Sequence, residues 1–186
     1  MDTIMAYPRT NGRFGIRNQV LVMSLVQCAN STVEKIAARC AVLSQAGQYN
    51  LLRVIRRGDT TAAMLAAARF SEAALSMVHL LNRKYTPFYK WAYRSASSLP
   101  LLSGCAERLK DLPEVLHLLA GGQEDTAHQK AFAITEEICT AFAAELRSQG
   151  FSAVQSDFLQ DHLTDIMSGI SDPQIRAMHP MADYAG

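Results

Sequence analysis

Residues 59–91 read DTTAAMLAAARFSEAALSMVHLLNRKYTPFYKW, and the period inside that stretch decides the fold. Asp59 stands where a helix needs a cap, because its short carboxylate can accept one of the orphan N–H groups of a first turn. Behind it Ala66, Phe70, Ala73, Met77 and Leu81 recur at three- and four-residue steps, joined by Ala63, Ala74 and Val78 on the same face. That spacing is the broad apolar stripe of a helix turned toward a core. Its many alanines let a neighbouring helix come close. His79 lies beside the stripe and reads as a core-edge residue rather than a ligand or base. From residue 80 the character changes to Leu-Leu-Asn-Arg-Lys-Tyr-Thr-Pro-Phe-Tyr-Lys-Trp, where rings and cations crowd together. Thr86 followed by Pro87 predicts a helix start, a hydroxyl cap before a residue whose fixed φ suits the first turn. The new helix carries Phe88, Tyr89, Trp91 and Tyr93 beside Lys90 and Arg94. Such a cluster is either a packed corner between two helices or a pocket for a planar or anionic ligand.

Toward the C-terminus the pattern stays helical. The helix fades through Ser95, Ser97 and Ser98 to Pro100, and a short amphipathic piece follows over residues 101–110. Asp111 is placed to cap another turn containing Pro113, and Val115, Leu116, Leu118 and Leu119 lead to a break at Gly121 and Gly122. A second long helix is predicted over 125–149, with Phe132, Ile138, Phe142 and Leu146 inward and Gly150 as its stop. Residues 155–170 read as another helix. It would set Asp157, Asp161 and Asp165 on one face with His162 adjacent, and a solvated acidic face is the reading preferred over a metal site. Glu136 and Glu137 read as an exposed pair.

Toward the N-terminus, residues 46–57 contain a short helix entered through Gly47 and left at Gly58. Ser31 and Glu34 form a capping box that opens a helix over 32–45, and residues 19–27 are strand-like in their Val, Leu and Met content. Before them, Pro8, Gly12 and Gly15 interleave with Arg9, Arg13 and Arg17. The expected organisation is a truncated α/β-like segment over 1–45 and a helical bundle domain over 46–180: mainly α, with a short strand-helix N-terminal appendage.

Composition excludes several classes of function. The 186 residues carry eighteen Lys and Arg against seventeen Asp and Glu, a formal net charge of +1, where a dedicated nucleic-acid binder shows a basic excess. No apolar run is read as a bilayer span, and no basic, apolar and small-residue leader opens the chain, so a cytoplasmic location is expected. Cys28, Cys40, Cys105 and Cys139 follow no paired zinc spacing and read as buried free thiols. Nucleotidyl transfer needs carboxylates that hold Mg²⁺ and a glycine turn for phosphate, and neither pattern is present. The Gly-x-Ser-x-Gly turn of a serine hydrolase is missing too. No catalytic residue, metal ligand or cofactor is therefore predicted.

Two resemblances add to this reading. Residues 7–18, Tyr-Pro-Arg-Thr-Asn-Gly-Arg-Phe-Gly-Ile-Arg-Asn, with Val20-Leu21-Val22 and Cys28-Ala29-Asn30, resemble the opening of the main domain of altronate and galactarate dehydratases. The likeness covers roughly 6–38, departs at Asn11, Leu25 and Gln27, and stops after the first helix. It implies that Arg13, Arg17, Cys28 and Asn30 are a remnant of an anionic-sugar site. Residues 47–178, from Gly-Gln-Tyr-Asn through Arg-Gly-Asp to the motif at 82–91 and Leu-Pro, are similar to an uncharacterised helical domain that follows nucleotidyltransferase domains in bacterial proteins. That resemblance implies ligand contacts at Arg57, Asp59, Asn82, Arg83, Tyr85, Tyr89, Lys90 and Trp91.

The expected function is a non-catalytic helical accessory domain that binds a small polar or anionic ligand or a partner nucleotidyltransferase domain. A sugar-acid lyase fragment and a structural homodimerisation module are the alternatives. Any pocket is expected where Arg53, Arg56 and Arg57 approach Arg83, Tyr85, Tyr89, Lys90 and Trp91.

Overall fold

The computed structural model describes residues 31–179, and every regular element among them is helical. The strand expected over 19–27, the arginine-rich opening and the sugar-acid remnant lie outside the described residues. A helix, α1, runs over 31–43 and passes without a break into a π-helical segment, Ser44–Leu51, and then α2, Leu52–Ile55. The expected interruption at Gly47 does not occur. Gly47 is instead a contact point: a Cβ there would lie 2.3 Å from Cδ2 of Phe70, so the missing side chain lets the buried Phe70 ring lie against the backbone. Ile36, Ala37, Cys40, Ala41, Val42 and Leu43 of α1 belong to the same core as the later helices.

Gly58, at φ +67, ends α2 in a left-handed turn with Gly58 N–H to Ile55 O and Asp59 N–H to Val54 O. Asp59 then caps α3, Thr60–Leu81, its Oδ1 accepting from the Ala62 N–H at 2.9 Å. The predicted stripe is buried in full except Ala66, which is half-buried. By length and composition α3 could cross a membrane, but Phe70, Met77, Val78 and Leu81 are buried among neighbouring helices. His79 goes deeper than expected. It is buried, Nδ1–H donating to Leu75 O at 2.7 Å and Nε2 accepting from the Ser95 hydroxyl at 2.9 Å.

Helix α4, Tyr89–Ala96, begins three residues after Thr86, whose hydroxyl bonds Ser76 Oγ at 3.2 Å instead of capping. Helices α5, Ser103–Arg108, and α6, Leu112–Ala120, are joined by a 3-10 turn, Leu109–Asp111. Asp111 does not cap α6; its carboxylate pairs with Arg108. Gly122, at φ +73, turns the chain into α7, Glu124–Ser148, which ends at Gly150 as its sequence predicts. At the start of α7 the Glu124 carboxylate lies against Gly58, and at its end Gln149 Nε2 donates to Leu81 O at 2.9 Å. Helices α3 and α7 therefore run side by side in the same direction.

Residues 152–158 are not helical, which corrects the helix expected over 155–170. Ser152 and Ser156 hydroxyls accept from the N–H groups two residues on, a local alternative to the helical ladder. A 3-10 turn, Leu159–His162, and two short helices, α8 (Leu163–Ser168) and α9 (Pro173–Arg176), complete the described chain.

Candidate functional site

The predicted contacts fall at opposite ends of α3. Asp59 precedes its first residue and Asn82 follows its last, and 22 residues at 1.5 Å each separate them by about 33 Å. Arg57 lies with Asp59, whereas Arg83, Tyr85, Tyr89, Lys90 and Trp91 follow Asn82 in a segment that turns back along α3 to Ser76, where Thr86 bonds, still sixteen residues from the first residue of α3. The single pocket expected from sequence is therefore two separate places.

Two of the eight residues are already occupied by structure. Asp59 is the cap of α3. Asn82 clamps a neighbouring segment, its Nδ2 donating to Leu101 O at 2.9 Å and to Val78 O at 2.7 Å while its Oδ1 accepts from Leu101 N–H at 3.1 Å. Arg57 is exposed beside the Gly58 turn.

The other five form an outward corner over residues 83–91. Neither reading of the ring cluster, a packed corner or a pocket, matches what is there. Tyr85 is 97% exposed, Phe88 65%, Tyr89 73% and Trp91 53%. Phe88 and Tyr89 meet in a tilted pair with centroids 4.6 Å apart, and Lys90 Nζ sits 5.4 Å from the centre of the Trp91 ring. The cause lies in α4. Its buried residues are Ala92 and Ala96, so the helix packs by its small side chains and turns its large ones to solvent, the reverse of an ordinary surface helix. Tyr93 alone folds back, half-buried, its hydroxyl donating to Glu107 Oε1 at 2.9 Å.

The corner is also cationic. Arg83, Lys84, Lys90 and Arg94 stand in it, and no Asp or Glu occurs between Glu72 and Glu107. That acid-free run was readable from the sequence. Arg83 holds the corner in shape at a conformational cost. It occupies the left-handed turn that ends α3, at φ 56, with Arg83 N–H to Leu80 O and Lys84 N–H to His79 O. Glycine fills the equivalent position after α2, α6 and α7.

At the other end of α3, an open cleft of about 510 Å³ lies between the π-helical turn and α7. Tyr49, Arg53 and Arg56 line one side, and His128, Gln129 and Phe132 the other. Phe132 was expected inward but is 50% exposed, because it faces this cleft. The π turn is fixed by Gln48, whose Nε2 donates to Asp157 O at 3.0 Å and to Glu136 Oε1 at 3.2 Å while Oε1 accepts from Leu159 N–H at 3.0 Å. Arg53 lies over the Tyr49 ring, 4.7 Å from its centre, and donates to the Tyr49 hydroxyl. The His128 pKa is pushed below its ordinary value by partial burial first and by the Arg56 charge second, with Asp125 opposing.

The acidic row expected along 155–170 is dispersed. Asp157 accepts from the Thr140 hydroxyl at 3.0 Å and lies 3.8 Å from Arg147, while Asp165 accepts from Ser152 Oγ and Ala153 N–H. Glu137 pairs with Arg108 at 2.7 Å. Cys40, Cys105 and Cys139 are buried free thiols, and burial pushes the Cys105 thiol up to about 11.

Residues 29–92 match the profile of a domain of unknown function (DUF4037), a span that starts just before α1 and closes on the exposed corner. No curated protein and no solved structure matches the chain.

Proposed function

We propose that this chain is a non-catalytic helical accessory domain that docks through its 83–91 corner onto an acidic surface of a partner catalytic domain. The resemblance of residues 47–178 to helical domains that follow nucleotidyltransferases suggests the class of that partner. The observation that carries the reading is the inverted packing of α4, with alanines inward and Tyr89 and Trp91 outward. Exposed aromatic rings joined to cations resemble the centre of a docking surface, where Trp, Tyr and Arg supply most of the binding energy. Charge argues against self-pairing through the same patch. A two-fold interface would set Arg83, Lys84, Lys90 and Arg94 against their own copies, and Glu107, the carboxylate that meets α4 at Tyr93, is already paired with Lys110.

Sedimentation of the chain mixed with a purified nucleotidyltransferase catalytic domain tests the reading. A complex is expected that weakens as salt rises, since screening shortens to about 3 Å at 1 M. Lys90→Glu should weaken it by about 2 kcal/mol or more, the loss typical of a charge at the centre of an interface. Sedimentation at the mass of one 20.4 kDa chain throughout contradicts the proposal, and a homodimer that survives Lys90→Glu contradicts it too.

A further inference from the structure

We propose a second binding site, independent of the docking corner: the cleft between the π-helical turn and α7 binds a small phosphomonoester carried on a flat ring. Its volume of about 510 Å³ suits a small organic ligand. The lining side chains include two arginines and a histidine but no carboxylate, so the cleft favours an anion over a cation. Neither Arg53 nor Arg56 forms an ion pair with a described residue. They stand three positions apart on α2 and the turn after it, which sets them on neighbouring parts of one face.

Arg53 is preorganised. The Tyr49 ring beneath its guanidinium and the bond to the Tyr49 hydroxyl fix the group while leaving other N–H donors free for a second partner. A phosphate that carries two negative charges and three acceptor oxygens matches two such forks better than a carboxylate does. His128, across the cleft, can add one further hydrogen bond to the same oxygens. The rest of the ligand is specified by Tyr49 and Phe132, which are 48% and 50% exposed and flank the cleft with apolar faces. Arg53 already lies over the Tyr49 ring, but a bare phosphate would leave the Phe132 ring uncovered, and a ring-bearing ester would cover it. The π-helical geometry of Ser44–Leu51 is a second pointer, because such turns are rare and gather at functional sites. Gln48, bonded on three sides, holds that turn in place.

The test is calorimetric titration of the whole chain with phenyl phosphate, and with inorganic phosphate and phenol for comparison. Phenyl phosphate should bind one to one, at least tenfold tighter than inorganic phosphate, and phenol should give no heat. Arg53→Met and Arg56→Met should each weaken phenyl phosphate at least tenfold, about 1.4 kcal/mol. Both side chains are exposed, so neither change opens the core. Arg53→Lys, which keeps the charge but loses the fork, should also weaken it. Phe132→Ala should bring phenyl phosphate down toward inorganic phosphate, and Lys90→Glu at the far end of α3 should leave its affinity unchanged. The proposal is overturned if phenyl phosphate does not bind, if both arginine-to-methionine variants bind it unchanged, or if inorganic phosphate binds equally well.

Discussion

Gly47 and Arg83 show how much of this molecule is decided by single backbone positions. At Gly47 the absence of a Cβ is a packing requirement, because Phe70 occupies the space one would need. Gly47→Ala should therefore destabilise the chain by about 1–3 kcal/mol through overpacking, measured as a lower urea midpoint at unchanged m-value. Arg83 poses the opposite case. A left-handed residue with a side chain costs about 1–2 kcal/mol, and the glycines ending α2, α6 and α7 avoid that cost. Arg83→Gly should raise the melting temperature by about 2–4 °C, the shift expected for about 1 kcal/mol in a chain of this size. It should also weaken docking, because one of the four corner cations is lost. A drop in melting temperature would show that the Arg83 side chain stabilises the corner by more than its backbone strain costs.

At the scale of elements, legibility followed length. Helices α3 and α7, with 22 and 25 residues, repeat their apolar positions often enough for the period and both ends to be read. The π-helical turn could not be read this way. Gly47 looks like a breaker, and nothing local to residues 44–51 distinguishes a widened turn from a loop, since the bonds that hold it reach to Glu136, Asp157 and Leu159. Gln48→Leu should remove all three at once, leave polar groups unpaired and cost about 1–3 kcal/mol. Hydrogen exchange gives the local readout: the Leu159 amide should lose protection, and retained protection would contradict the role assigned to Gln48. Helix α4 was legible in content but not in orientation. Eight residues hold too few turns to show which face is inside, and only the Ala92 and Ala96 pair hinted that the rings point away. Over 155–158, the start of the helix expected to reach 170, the Ser156 hydroxyl takes the Phe158 N–H and a local turn replaces the helical ladder.

For the whole molecule, the main lesson is distance. Cation density stands in the sequence at 53–57, and cation and aromatic density at 83–91, which reads as one pocket; α3 places the two groups toward its opposite ends, with Asp59 and Asn82 about 33 Å apart. That separation turns one expected site into two surfaces with different chemistry: an open cleft lined by preorganised arginine and rings, and an outward corner whose rings have no cover of their own. It also makes the two proposals independent, because charge reversal at Lys90 should act on docking alone and loss of Arg53 or Arg56 on the cleft alone. The core beneath them is common, running from Ile36 in α1 to Ile170 after α8, so both ends are carried by one packed unit.

Trp91, the chain's single tryptophan, sits in the corner and is half exposed, so its emission reports directly on docking there. Its spectrum and its quenching by acrylamide would be recorded while a purified nucleotidyltransferase catalytic domain, with its own tryptophans replaced, is titrated in. Docking through the corner predicts a saturable blue shift with loss of quenching, both weakened by Lys90→Glu and by high salt. An emission maximum and a quenching constant that stay at their free-chain values while a complex forms would place the interface elsewhere and contradict the account.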